Sequence, residues 1–338
     1  MPPFLMALLS NRRLILIEVE EDEIATQSND LLSSQLTDAL AGPNYGVDAL
    51  PDGADAVLVT DLEIVPMSSD ALDRDLNYGH FGASEILLAN TLVECTFSVE
   101  LAGSGTAGVA PQYGGALRAC GLRELRSAGA SVAYYPRSEF FAAATIYYIV
   151  DGVRHRITGA RGTFELVANV GEIPTINFSF QGVYNTPEDV AIPAVNYANQ
   201  ATPLMFSEGN SSGFQFFSYA GCLNSVQFDL GNDIAYMDLI GSDPRIIITD
   251  RQSSGTVAVE APSIGQKDYF DLAVTDEAYG NFTFTHGSSA GNIFTFSSVR
   301  VNLQSVDYDE SDGIVELSMP YTTVPSSVGG DEFSFVFS

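Results

Sequence analysis

The side chains that most often carry catalysis are few and scattered in this sequence. His80, His155 and His286 each stand alone in their segments, whereas acid–base or metal chemistry draws on histidines set beside one another or beside a carboxylate. Cys95, Cys120 and Cys222 are odd in number and form no Cys-x-x-Cys pair. They read as small buried hydrophobes rather than a zinc knuckle or a disulfide framework. No His-Glu-x-x-His, Gly-x-Ser-x-Gly, Ser-x-x-Lys or phosphate-cradling Gly-x-x-x-x-Gly-Lys run occurs, so no nucleophile or base is singled out. The run Asp307-x-Asp309-x-Ser311-Asp312-Gly313 offers hard oxygens. However, the sixth and twelfth positions of a calcium loop, where Gly and a bidentate Glu belong, hold Asp312 and Ser318. A solvated hairpin turn accounts for it without a metal.

Charge is the chemistry this chain does carry. Against 43 Asp and Glu there are only 14 Lys and Arg, giving a formal net charge of −29, and Lys267 is the sole lysine. Binding of nucleic acid through a basic surface is therefore excluded. Half of the basic residues fall in one stretch: Arg118, Arg123, Arg126, Arg137, Arg154, Arg156 and Arg161. Such a cluster suits a carboxylate-rich face of another copy of the chain, with local charge balance as the alternative.

The elements that must hold these residues are strands. Val93, Cys95, Phe97, Val99 and Leu101 alternate with Leu92, Glu94, Thr96, Ser98 and Glu100, the period of a strand with one buried face. Similar runs recur at Phe164 to Val167, Thr175 to Gln181, Thr256 to Ala261, Asn281 to Thr285, Ile293 to Phe296, Val299 to Leu303 and Ile314 to Met319. Gly, Asn, Asp and Ser separate them. Helical spacing is confined to Tyr113 to Cys120 and Lys267 to Val274. The fold class is all-β with small flanking helices.

The chain also resembles itself. Asp70 to Leu76 aligns with Asp233 to Leu239, Phe97 to Glu100 with Val257 to Glu260, Gln112-Tyr113 with Asp268-Tyr269, and Ile176 to Phe180 with Val315 to Met319. The order is kept, which points to a tandem duplication. It predicts an N-terminal arm over 1–55, a first domain over 56–187, a linker over 188–221 and a second domain over 222–338. No apolar run approaches the roughly 20 residues that span a bilayer. The first residues reverse the basic-then-apolar order of a secretory signal.

Several segments resemble the tail tube proteins of long-tailed, non-contractile bacteriophages. They are Asn11-Arg-Arg-Leu-Ile-Leu, Ala56-Val-Leu-Val-Thr-Asp-Leu-Glu-Ile64, Phe81-Gly-Ala-Ser-Glu85, Val99-Glu-Leu-Ala-Gly-Ser-Gly-Thr106, Leu117-Arg-Ala-Cys-Gly121, Tyr148-Ile-Val-Asp-Gly-Val153, Thr158-Gly-Ala-Arg-Gly162 and Gly287-Ser-Ser-Ala-Gly-Asn292. The likeness departs at Glu21 to Pro51, where an acidic insertion, Asp30 to Leu40, has the spacing of a short amphipathic helix.

The resemblance implies a tandem pair of β-sandwich or barrel domains, rings of subunits stacked into a hollow tube, and passage of viral DNA without specific binding. Single-domain relatives form hexameric rings and some duplicated ones trimeric rings, and the internal repeat favours a homotrimer with pseudo-sixfold symmetry. The implied partners are other copies of the chain and the tape measure, terminator and distal tail proteins. No cofactor, metal or membrane insertion is implied, and the expected location is the virion tail after synthesis in the host bacterial cytoplasm. An acid wall would let DNA slide, with Glu63, Asp70, Glu94, Glu100, Asp229 and Glu260 as candidate lumen residues. Residues 1–55, the loop from Asn77 to Asn90 and the segment from Thr186 to Ser212 are expected to reach between rings. The competing reading is an acidic surface module for carbohydrate or a receptor, which would show exposed stacking aromatics, yet Trp is absent.

Overall fold

The computed structural model describes residues 12–20, 44–74, 76, 79, 81–82, 84–275, 279–311 and 313–338. The alternating runs all lie in strands, to within a residue at their ends. In the first half the elements are β1 (Arg13–Val19), β2 (Ala56–Val57), β3 (Thr60–Asp73), β4 (Ile86–Glu100), α1 (Gly114–Ala119), β5 (Leu122–Ser127), β6 (Ser131–Pro136), β7 (Ala144–Val150), β8 (Val153–Asn169), β9 (Thr175–Tyr184) and β10 (Glu188–Asp189). The second half holds β11 (Ser211–Phe216), β12 (Leu223–Asp229), β13 (Asn232–Met237), β14 (Arg245–Arg251), β15 (Ser254–Glu260), α2 (Tyr269–Val274), β16 (Tyr279–His286), β17 (Phe294–Leu303), β18 (Asp307–Ser311), β19 (Ile314–Thr323) and β20 (Ser334–Phe337). The fold is all-β with two short helices. No helix among the described residues is long and apolar enough to cross a membrane.

Two sets of six strands share one order of antiparallel partners. In the first half the order is β1-β7-β8-β9-β4-β3. In the second it is β11-β16-β17-β19-β15-β12. In each half a six-residue helix stands between the fifth strand of that order and the hairpin that follows in the chain. Tyr113 caps the start of α1, and Tyr269 is the first residue of α2. Both are fully buried, and their hydroxyls donate to Ala102 O at 2.8 Å and Phe216 O at 3.2 Å.

One detail of the sequence alignment needs correction. Val99 lies opposite Ile176 and Val259 opposite Leu317, so the counterpart of Ile176 is Leu317 rather than Val315. Buried Ile176, Phe178 and Phe180 then answer buried Leu317, Met319 and Tyr321. A slip of two residues keeps every side chain on its face, which is why alternation alone did not expose it.

The halves do not separate. Eighteen strands hydrogen-bond into one network, with β13-β14 as a pair apart. β12 pairs with β8, while β20 pairs with both β17 and β6. The core is continuous across the junction: Phe164 lies 6.4 Å from Phe228 and 5.6 Å from Phe335, centroid to centroid. Each such ring contributes roughly 1.5–3 kcal/mol by burial. At the β7-β8 turn, Asp151 and Gly152 have φ of 45° and 98°, the two-residue geometry whose twist matches its flanking strands.

Several expectations about loops differ from the structure. Arg13–Val19, assigned to an arm, is β1 and pairs along its whole length with β7, because Ile15 and Ile17 supply core faces. The expected loop from Asn77 to Asn90 overlaps the start of β4, and the expected linker contains β11. The chain between β10 and β11 is strapped down by backbone bonds, Asn196 N to Gly53 O at 2.7 Å, Ala201 N to Gly103 O at 2.9 Å and Phe206 N to Glu172 O at 2.8 Å. The acidic helix expected at Asp30 to Leu40 lies outside the described residues. The run from Asp307 is a hairpin, β18 folding onto β19 with Gly313 at φ 80°.

Candidate functional site

One face of the sheet is distinctive. On β4, β9, β8, β12, β15 and β19, one set of alternate residues is buried in the core. The other set lies partly or fully open to solvent. It reads Glu94, Thr96, Ser98, Glu100 on β4 and Thr175, Asn177, Ser179, Gln181 on β9. It continues as Thr163, Glu165, Val167, Asn169 on β8 and Ser225, Gln227, Asp229 on β12, then Ser254, Thr256, Ala258, Glu260 on β15 and Glu316, Ser318, Pro320, Thr322 on β19. None of these residues is lysine or arginine; Arg161, which the register sets opposite Gln181 at the end of the β8 row, is buried.

The face is arranged against its own stability. Asp229 sits directly opposite Glu165, and Glu316 lies between Glu260 and Asp309 on its two neighbours. Like charges opposed across strands are destabilising. Amides relieve some of this: Gln227 Nε2 donates to Glu165, and Asn224 Nδ2 donates to Glu316 at 2.9 Å. A local rule broken repeatedly on one surface marks a functional surface.

Of the acids singled out in the sequence, Glu94, Glu100, Asp229 and Glu260 stand on this face, and Glu63 joins it from β3, opposite Thr96. Asp70 does not. It lies farther out on the β3-β4 hairpin, opposite Ala89, and its carboxylate accepts from Asn90 Nδ2 at 2.7 Å. Glu165 and Glu316 were missed, although they occupy the outward positions of runs read correctly as strands.

Both ends of the sheet are open in a related way. Within the chain, Asp229, Phe228, Gln227, Val226 and Ser225 of β12 pair with Glu165, Leu166, Val167, Ala168 and Asn169 of β8. The shared pairing order makes β3 the counterpart of β12, because Thr96 faces Glu63 where Thr256 faces Gln227. It makes β18 the counterpart of the far part of β8, because Asn177 faces Glu165 where Ser318 faces Asp307. Among the described residues β3 pairs only with β4, and β18 only with β19. The carbonyl of Leu62 on β3 also accepts from the Arg13 guanidinium at 3.1 Å.

The arginines do not form one surface. Arg126 meets Glu124 at 2.6 Å, Arg154 meets Glu188 at 2.5 Å and Arg156 meets Asp48 at 3.1 Å. Arg118, Arg123 and Arg137 lie together: burial first, then repulsion from the other two, lowers the Arg137 pKa. Arg161 is only 1% exposed and so is an interior residue. Its guanidinium donates to Phe141 O at 2.8 Å, Ile246 O at 2.9 Å and Ala142 O at 3.2 Å, and it lies 4.9 Å from the Tyr45 ring. Beside it, Glu20 accepts from Gly46 N and Gly159 N, both at 2.7 Å, and from Thr145 Oγ1 at 2.9 Å. Burial raises the Glu20 pKa, and these bonds oppose the rise. Gly159 is fixed here, since its φ is 59° and an added Cβ would come 2.6 Å from the Tyr45 ring.

The groups able to do covalent chemistry are held apart. Burial pushes the Cys95 thiol up to about 12 and lowers the pKa of His155 and His286. His286 is tied to Ser211 Oγ and Leu204 O, each at 3.1 Å. His80 lies outside the described residues. Among the described residues no three His, Cys, Asp or Glu side chains are grouped to hold a metal. The broad depression beside α1 has neither His nor Cys in its lining.

No curated protein matches this chain. A family model described as phage tail tube protein matches residues 33–323, which takes in the polar face and both open edges. With an all-β fold and most of its length matched, the chain belongs to the phage tail tube protein family and is a structural component of the virion tail.

Proposed function

We propose that three copies close a ring with pseudo-sixfold symmetry, that rings stack into the tail tube of a non-contractile phage, and that the polar sheet face lines its lumen. One observation carries this reading: β3 and β18, two of the strands with a partner on one side only, occupy the places of the two strands that join the halves inside one chain. Repeating the internal joint between chains pairs β3 of one copy with β18 of the next. Val65 then lies opposite Asp307, Ile64 opposite Tyr308 and Glu63 opposite Asp309. The matching partner orders of the halves support a tandem duplication, and head-to-tail repetition of one joint is how a ring closes. It also covers two of the open edges that an all-β protein must manage.

The face inside such a ring carries acids and short neutral polar side chains. A wall of this kind repels phosphates at short range and offers DNA no cation to hold. The Arg118, Arg123 and Arg137 group is the cationic surface proposed to meet acids of a neighbouring copy. Tape measure, terminator and distal tail proteins are the proposed partners along and at the ends of the tube.

Paired cysteines test the joint. With Cys222→Ser removing the exposed native thiol, Ile64→Cys combined with Tyr308→Cys should give, on mild oxidation, covalent species of up to three chains and a ring mass of three. Absence of cross-links in assembled tubes, or rings of six chains, would sink the trimer and this pairing.

A further inference from the structure

We propose that closure of the joint between chains is gated by ionic strength, a control absent from the joint within the chain. The inference rests on the ring reading above and concerns what the transferred register brings together. Inside the chain, the row through the joint runs Thr175, Val167, Gln227, Thr256 and carries no charge. The same row between chains runs Glu316, Asp309, then Glu63 and Thr96 of the next copy. Three carboxylates become nearest neighbours across three strands; Glu260 extends this row beyond Glu316 as Glu100 extends the inner row beyond Thr175.

The rest of the joint has the same bias. β3 brings Asp61 and Glu63, while β18 brings Asp307, Asp309 and Glu310. All five are exposed in the single chain. The corresponding stretches of β12 and β8 carry only Asp229 and Glu165, with Gln227 bonded to the latter. No lysine or arginine lies in either edge stretch, Thr60 to Val65 or Asp307 to Ser311, although the Arg13 guanidinium of β1 reaches the Leu62 carbonyl. Directly opposed side chains in an antiparallel pair approach to about 5 Å. That is well inside the screening length of about 10 Å at 0.1 M salt and beyond the length of about 3 Å at 1 M. Dilute buffer therefore leaves the edges mutually repelling, and concentrated salt lets backbone pairing and apolar contact decide. The covalently built joint needs no such help.

The test follows assembly of the purified full-length chain by mass photometry in potassium chloride from 0.05 to 2 M. Wild type should remain single at the low end and form rings at the high end. The Glu63→Gln, Asp309→Asn double variant should reach half-assembly at a salt concentration at least threefold lower. A charge-matched control, Glu172→Gln with Asp243→Asn, alters two exposed acids away from both edges and should leave the midpoint within a factor of 1.5, a margin set on the order expected for distant screened charges. Equal shifts in both variants, or none in the edge variant, would overturn the gate. Circular dichroism of the single chains verifies that each variant is folded. The cysteine pair Ile64→Cys, Tyr308→Cys separates the two levels. Cross-linked rings with an unshifted edge variant reject the gate alone, whereas rings without cross-links reject the joint on which it rests.

Discussion

Arg161 ties together parts of the chain that are far apart in sequence. Its donors satisfy carbonyls of Phe141, Ala142 and Ile246, so removing it leaves buried acceptors and the nearby Glu20 without their cation. Arg161→Met should lower the unfolding free energy by about 3–5 kcal/mol, measured by denaturant titration. Glu20 gives a pH signature. Its folded pKa is raised above the ordinary value of 4.5 by burial, so its contribution is fully present below that value and lost as pH rises through the folded pKa. In Glu20→Gln this loss should vanish, so that variant and wild type diverge in unfolding midpoint as pH rises from 4.5 through the folded pKa, and run parallel above it. Equal slopes would refute the assignment. Glu94, Glu100 and Glu260 were legible in the sequence because they stand in alternating runs, which assign a face directly, whereas Glu165 and Glu316 stand in such runs and were passed over. The role of Arg161 was not, because its charge suggested a surface and its carbonyl partners lie in Phe141, Ala142 and β14.

At the scale of elements, the C-terminal strand does more than its length suggests. β20 lies between β17 and β6, and Phe335 packs within 5.2 to 5.8 Å of Phe294, Phe164, Phe228 and Phe296, measured between ring centroids. Phe335→Ala should cost about 3–5 kcal/mol, readable as a lowered midpoint in chemical unfolding. A loss below about 1 kcal/mol would mean that the ring is not part of a tight core. Strands flanked by clear turns and strict alternation, such as β4, β9 and β19, could be read without a structure. β5, β6 and β20 could not. β20 is short, and β5 begins Leu-Arg-Glu-Leu-Arg, whose apolar spacing is closer to that of a helix. The helices were visible because each interrupts the alternation with helical spacing, at Tyr113 to Cys120 and at Lys267 to Val274.

For the whole molecule, the shared core decides how the chain melts. Two sequence repeats suggest two independently folding units, but one hydrophobic cluster runs through both halves, and β12 is stitched to β8. Calorimetry of the single chain should show one cooperative transition with matching calorimetric and van't Hoff enthalpies, and two resolved peaks would contradict this. Duplication could be read from the sequence in outline; the sharing of sheet and core could not, since it depends on pairings between residues distant along the chain. The unlike ends of the sheet have one more consequence, genetic rather than structural. A copy damaged only at β3 still presents a sound β18 edge, so in the proposed ring it joins a neighbour and then stops growth. Such an allele should be dominant. If it were co-expressed at equal level with the intact gene and mixed at random, only about one ring in eight would be built wholly from intact chains, and infectious yield should fall far more steeply than the dose of the intact protein.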